Sequence, residues 1–145
     1  MNCPKDVGIY LNRSKNTRIV NNGIFNTAGI DVRFQSSSAH IVNNVMDGRV
    51  RQRNGGRAKH ENNLMLGDRM FGGVTLSDLY KDPVNGDFDL RDPEKVVSRG
   101  LPVRNSGRDF CGNPRRTAAP DLGPMDYGGE SNCKFFDIWR TRRNN

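Results

Sequence analysis

The chain has 145 residues, and 23 Lys and Arg against 16 Asp and Glu give it a net charge of +7. Only 34% of the residues are hydrophobic, and no apolar run reaches about 18 residues, so the sequence excludes a membrane-spanning helix. The charge is uneven, since residues 1–66 hold ten Lys and Arg against four Asp and Glu, whereas residues 67–145 hold thirteen against twelve. The first part of the chain is therefore the basic part.

A four-residue phrase returns at a near-constant interval in this basic part. Residues 19–22 read IVNN, the same letters return 22 positions later at residues 41–44, and a degraded copy, HENN, follows at residues 60–63. Short β-branched segments between Asn and Gly turns at a period of about 20 residues predict a solenoid of strands. Unrelated hairpin turns are the alternative, but they do not explain matching text at a fixed offset.

Apolar and polar residues alternate within these repeats. In GIDVRF, residues 29–34, the pattern predicts that Ile30, Val32 and Phe34 face a core and that Asp31 and Arg33 face water. Stacked coils then form inward columns at the strand spacing of about 4.8 Å, one of which contains Ile9, Ile30 and Val50. Ile19 and Ile41 form a second column.

The Asn pairs are predicted to occupy the corners between strands. Asn tolerates the left-handed backbone of a sharp turn, and its side-chain amide can bond the equivalent amide in the next coil. The sequence therefore predicts a structural ladder of Asn22, Asn44 and Asn63.

The chain divides into three parts by pattern. Residues 1–67 are predicted to form about three coils (7–28, 29–48 and 49–67), and the third has Gln52 and His60 at inward positions, as expected near the end of a stack. Residues 68–129 are predicted to form a cap and an irregular, proline-rich arm packed on the helix. Residues 130–145 form a basic and aromatic tail. The apolar residues predicted to cover the last coil are Phe71, Val74, Leu76, Leu79 and Tyr80.

These phrases, together with DFDL at residues 87–90, CGNPR at 111–115 and APDLGPMDYGG at 119–129, resemble right-handed parallel β-helix repeat proteins of the pectate-lyase-like superfamily, in particular their C-terminal portion. The resemblance spans residues 7–129. It implies an all-β fold, a right-handed parallel β-helix (solenoid), and an extracellular or cell-surface location. It does not assign an activity, because that superfamily contains lyases, hydrolases, adhesins and other proteins.

The N-terminal end of the stack is expected to be covered. Strand edges and an apolar cross-section would otherwise be open near Val7, so we expect either upstream coils of a longer protein or self-association through this end.

Three cysteines, Cys3, Cys111 and Cys133, lack the spacing of a zinc site, so no metal site is predicted. Either all three are isolated thiols, or one disulfide joins Cys111 to Cys133.

Aligning the coils brings basic residues into outward columns. Tyr10, Asp31 and Arg51 form one column, and Asn12, Arg33 and Arg53 form the next. Arg18, His40 and Lys59 form a column on the neighbouring strand. Stacked like charges repel unless an anion lies between them, so this strip suits an extended polyanion. Asp31 and Asp47 could instead neutralise it. The candidate ligand-binding residues are Arg33, Arg51, Arg53, Lys59 and His40.

Two functions are compatible with these patterns. The first is a non-catalytic module that binds acidic polysaccharide, the ligand class that the resemblance implies. The second is part of a polysaccharide lyase or glycoside hydrolase whose cleft lies mostly on upstream coils; Ca²⁺ is expected only for a lyase, and otherwise no cofactor is expected. Nucleic acid is a weaker expectation, because the coils show little aromatic interleaving.

Overall fold

The structure is a computed structural model that describes residues 6–67, 72–116 and 118–127. Nine short strands occupy the repeats, and each repeat contributes three of them. In chain order they are β1 (Ile9–Asn12), β2 (Thr17–Val20), β3 (Gly23–Ile24), β4 (Gly29–Arg33), β5 (Ser38–Val42), β6 (Val45–Met46), β7 (Arg49–Arg53), β8 (Arg57–Glu61) and β9 (Leu64–Met65).

The nine strands form three parallel sheets. Sheet 1 has the order β1-β4-β7, sheet 2 has β2-β5-β8, and sheet 3 has β3-β6-β9. Each strand therefore pairs with the equivalent strand of the next repeat. This all-β arrangement of stacked parallel sheets is compatible with a β-helix.

The register within the sheets confirms the columns that the repeated text predicted. Ile9 pairs with Ile30, which pairs with Val50 in sheet 1. In sheet 2, Ile19 pairs with Ile41, which pairs with His60. The repeated sequence determines which residues form strands and also how those strands pair. A shift by one residue would turn every apolar side chain of a strand to the opposite face.

The inner core consists of the apolar side chains that point between the three sheets. Val32 and Ile41 are fully buried there. Phe34 was predicted to belong to this core, and that prediction is wrong. Strand β4 ends at Arg33, and a positive φ of 71° at Phe34 breaks the alternation there. The buried members are Leu11, Ile19, Ile24, Ile30, Val32, Ala39, Ile41 and Met46.

The chain after the repeats packs on the outer side of sheet 3. It contains helix α1 (Leu76–Leu79), an antiparallel pair formed by β10 (Tyr80–Asp82) and β11 (Asp87–Leu90), and 3₁₀ turns at Pro83–Asn85 and Pro93–Lys95.

A second apolar cluster joins this segment to the repeats. Leu79 and Tyr80 pack there with Phe25, Val45 and Leu64, which come from repeats 1, 2 and 3 respectively. The cluster includes Leu64 and Leu66 of the last coil, in line with the expectation that this segment covers that coil's apolar face, and it extends beyond the expectation to the first two repeats. Phe71 lies outside the described residues.

The two residues of each Asn pair have different roles. The first member, Asn21, Asn43 or Asn62, has a left-handed backbone with φ between 51° and 58°. The side-chain Nδ2 of each donates to the main chain of the arm. The acceptors are the carbonyls of Asp121 (2.8 Å), Leu101 (2.8 Å) and Arg99 (2.9 Å) respectively.

The second members, Asn22, Asn44 and Asn63, form a ladder between the repeats. Asn22 Nδ2 donates to Asn44 Oδ1 over 3.0 Å, and Asn44 Nδ2 donates to Asn63 Oδ1 over 2.8 Å. Asn44 is fully buried, and its Nδ2 also donates to the carbonyls of Ile19 and Val42. Each corner thus has one Asn that shapes the turn and holds the arm, and one that joins the repeats.

Candidate binding face

The outward side of sheet 1 is a face that the described part of the arm leaves exposed. The odd-numbered residues of β7 point outward, because Val50 packs against the inner core. Arg49, Arg51 and Arg53 are all exposed, and Tyr10 on β1 is 45% exposed. On sheet 3 the equivalent side is covered by the second apolar cluster. We call this surface the sheet 1 face; it comprises Tyr10, Asn12, Asp31, Arg33, Arg49, Arg51 and Arg53.

Asp31 lies at the centre of this face, and it is covered rather than solvated. It points outward, as predicted, but it is only 1% exposed. Arg53 lies over it in a two-point ion pair, in which Nε donates to Oδ1 over 3.2 Å and Nη2 donates to Oδ2. The prediction that Asp31 faces water is wrong, because a side chain from the next repeat covers it.

The same contact lowers the pKa of Asp31. The hydrogen bonds and charge of Arg53 hold the pKa of the Asp31 carboxyl below its usual value, against the opposing effect of burial. Arg53 is therefore largely neutralised, and it is less available to a ligand than its exposure suggests.

Replacing Asp31 with asparagine is expected to destabilise the fold by about 1–2 kcal/mol near neutral pH, because the pair is half-exposed on the arginine side. The lowered pKa means that this contribution is present above the unfolded-state pKa and is lost as the pH falls through the folded-state pKa. Urea unfolding of both proteins at about pH 7 and about pH 3 should therefore show a smaller difference in acid. An equal difference at both pH values would contradict the role of the pair.

Arg33 lies near two aromatic rings. Its guanidinium carbon lies 6.0 Å from the ring centre of Tyr10 and 5.3 Å from that of Phe34. Its Nε is buried and has no hydrogen-bond partner in the described part of the chain. These contacts orient the cation without neutralising it, since a ring attracts a cation but carries no net charge.

His40 and Lys59 lie on sheet 2, and both bind Glu61. The distances to Glu61 Oε1 are 2.8 Å from His40 Nε2 and 3.0 Å from Lys59 Nζ. Lys59 and His40 lower the pKa of the Glu61 carboxyl through these hydrogen bonds. These two residues thus lie on the neighbouring strand, as the sequence predicted, and there they are paired with a carboxylate of the same sheet.

One further expectation about charge needs correction. Asp47 forms no ion pair with a described basic residue, and its Oδ2 instead accepts the backbone amide of Asn26 over 2.7 Å. The second neutralising carboxylate is Glu61. Arg18 extends the sheet 2 column, and its Nη2 donates to the carbonyl of Arg104 in the arm.

Comparison with models of protein families, with curated proteins and with solved structures finds no match. The described residues also contain no group of three or more His, Cys, Asp or Glu side chains that could hold a metal ion. Within the same ranges no helix is long and apolar enough to cross a membrane. Any function must therefore be inferred from the geometry of the faces.

Sequence reasoning missed two contributors to the sheet 1 face. Tyr10 was placed in an outward column but was not counted as a ligand-binding residue. An outward aromatic residue beside an arginine could have identified it as a candidate. Arg49 was treated only as the start of the third coil. The alternation Arg49, Arg51, Arg53 already indicated that all three share one side of β7.

Proposed function

We propose that this chain is a right-handed parallel β-helix module of the pectate-lyase-like superfamily, and that it binds acidic polysaccharide without cleaving it. The stacked parallel sheets support the first part, as does the rule that parallel crossover connections are right-handed in nearly all proteins. The repeated phrases and the closing segment that resemble that superfamily support it further.

The observation that carries the binding proposal is the sheet 1 face. Arg49 and Arg51 are exposed on it and form no ion pair with another described residue, while Arg33 lies near the rings of Tyr10 and Phe34. The strands that carry these arginines lie about 4.8 Å apart, so the face presents several cations to the carboxylates or sulfates of one extended chain. The exposed ring of Tyr10 adds an apolar surface against which a sugar ring can pack.

The geometry favours binding over catalysis. The three carboxylates of the repeats are each bound elsewhere: Asp31 to Arg53, Asp47 to a backbone amide, and Glu61 to two basic side chains. Paired carboxylates across a scissile bond would be needed for hydrolysis. Membership in a larger lyase, with its cleft on other coils, remains the alternative proposal.

The state of Cys111 supports an extracellular setting for such a ligand. Cys111 is disulfide-bonded, and structural disulfides persist mainly in oxidising compartments. Cys133, its predicted partner, lies outside the described residues.

Binding should depend on the unpaired arginines. We expect an Arg33→Ala, Arg51→Ala double variant to bind polyuronate and a heparin-like glycan about tenfold more weakly than the wild-type protein, and neither protein to bind a neutral glucan. Titration calorimetry at two salt concentrations measures this. Binding by the wild type should weaken with salt, because the Debye length is only about 8 Å at physiological ionic strength.

A control variant separates the face from net charge alone. Lys81→Ala with Lys95→Ala removes two cations from the arm, where each forms an exposed ion pair, and it should bind as the wild type does. Equal losses in both double variants would mean that charge alone attracts the glycan. Failure of the wild type to bind either acidic glycan would remove the proposal.

A further inference from the structure

The last repeat leaves one edge of sheet 1 open. Within the described residues β7 pairs only with β4, and four of its five residues are exposed while Val50 is partly exposed. An open strand edge offers unpaired amides and carbonyls to any extended chain that can lie beside it. The side chains of β7 therefore indicate what kind of chain can bind along this edge.

The hydrogen bonds of β7 show which of its groups point to the open edge. Arg49 N donates to Ala28 O over 3.1 Å, and Arg53 O accepts from Phe34 N over 3.1 Å, so the odd-numbered residues direct their main-chain groups toward the neighbouring repeat. Main-chain groups alternate in direction along a strand. The amides and carbonyls of Val50 and Gln52 consequently point to the open edge.

The neighbouring strand β8 has fewer unpaired main-chain groups than β7 at the corresponding edge. Gln52 Oε1 accepts the backbone amide of Ala58 over 2.7 Å, so the side chain of Gln52 reaches from β7 to β8 and occupies a donor there. The amides of Val50 and Gln52 have no equivalent partner within the described ranges.

The charge of β7 restricts the choice of partner. Arg49, Arg51 and Arg53 lie on one side of the strand, and only Arg53 is neutralised, by Asp31. A second copy of β7 would place like charges opposite each other, which is unfavourable, whereas acidic side chains at alternate positions would lie beside Arg49 and Arg51. The intervening apolar residues of such a strand would lie beside Val50, which packs at the edge of the inner core.

We propose that the open edge of β7 binds an extended acidic segment of another protein, which adds to sheet 1 as a fourth strand. Main-chain hydrogen bonds provide the affinity and the alternating charges provide the selectivity, as in other cases of strand addition. This proposal does not rest on the polysaccharide proposal. A polysaccharide has no peptide backbone with which to continue the sheet, and it would lie across the face rather than along the edge.

A matched pair of variants tests the edge. Gln52→Ala and Gln52→Pro both remove the side chain that bonds Ala58, but only proline also removes the amide that points to the open edge. The probe is a fluorescent peptide of about ten residues with alternating Glu and Val, enough to span a strand, and the control peptide has the same charge but prolines in place of the central Val residues.

We expect the alternating peptide to bind the wild type and the Gln52→Ala variant within about twofold, and the Gln52→Pro variant at least about tenfold more weakly. The proline-containing peptide should bind none of them appreciably. Equal affinity of the alanine and proline variants, or equal binding of both peptides, would overturn the proposal.

Amide hydrogen exchange on the unaltered chain provides a second test that does not depend on how the variants fold. The peptide should slow exchange at Val50 and Gln52, while unchanged exchange at both residues would overturn strand addition. Because Gln52→Pro leaves every arginine in place, polyuronate titration of that variant distinguishes failure of the polysaccharide proposal from failure of this one.

Discussion

Replacing Asn44 with leucine is expected to lower the free energy of unfolding by about 3–4 kcal/mol, a large fraction of the stability of a small domain. Asn44 is fully buried. Its Nδ2 donates to Ile19 O, Val42 O and Asn63 Oδ1, and its Oδ1 accepts from the amide and the Nδ2 of Asn22. Leucine has a similar volume but satisfies none of these groups. The substitution therefore removes the acceptor of the Asn22 amide and the side-chain donor to the Ile19 and Val42 carbonyls, and it breaks the Asn ladder in the middle.

Asn22→Leu is the matched control for this effect. Asn22 is at the end of the same ladder and is partly exposed, and among the described residues its side chain forms hydrogen bonds only to Val20 O and Asn44 Oδ1. Its replacement should cost about 1 kcal/mol, because water can satisfy part of what is lost. Urea unfolding gives both values. Equal costs for Asn44→Leu and Asn22→Leu would contradict the expectation that the buried centre of the ladder contributes more to stability than its partly exposed end.

Replacing Asp121 with alanine is expected to release the arm from the sheets at a cost of about 2–4 kcal/mol. Asp121 is fully buried, and its carboxylate accepts the backbone amides of Ser98 and Tyr127, each over 2.7 Å, and the Nη2 of Arg116. The half-exposed Arg116 can turn to water when its partner is removed. The two backbone amides lose a buried acceptor that holds residues 98 and 127 together, and this loss accounts for most of the cost.

The expected readout is local. Amide exchange should accelerate at Val96 and Leu122, which pack in the second apolar cluster, while Val32 and Ile41 in the inner core remain protected. Asp92→Ala serves as the control, because the Asp92 side chain forms a partly exposed pair with Lys95, and its removal should change little. Equal acceleration in the arm and the inner core would mean that the two clusters unfold as one unit.

The repeated text made the parallel register predictable, because it encodes both which residues are inward and which residues lie above one another. Ile30 could be placed between Ile9 and Val50 for that reason. The burial of Asp31 was not predictable in the same way. It depends on the arginine that the next repeat places two positions further along its strand, and on the reach of that side chain.

The path of the arm also could not be predicted from the sequence pattern. Leu79 and Tyr80 follow no period, so their apolar character indicated burial but not the surface against which they pack. The separate roles of Asn43 and Asn44 were hidden for a related reason. Adjacent identical residues look interchangeable in a sequence, yet only Asn43 has the left-handed backbone that turns its side chain toward the arm.

The sheet 1 face is tested most directly by following the arginine side-chain Nε signals by NMR while polyuronate is added. Arg33, Arg49 and Arg51 should shift together and saturate at one ligand concentration, and the changes should disappear at high salt. Arg91 and Arg99, whose side chains donate to carbonyls of the arm, should remain unchanged. Shifts confined to the arm, or no shift at Arg33 and Arg51 when the ligand is in excess, would contradict the binding face.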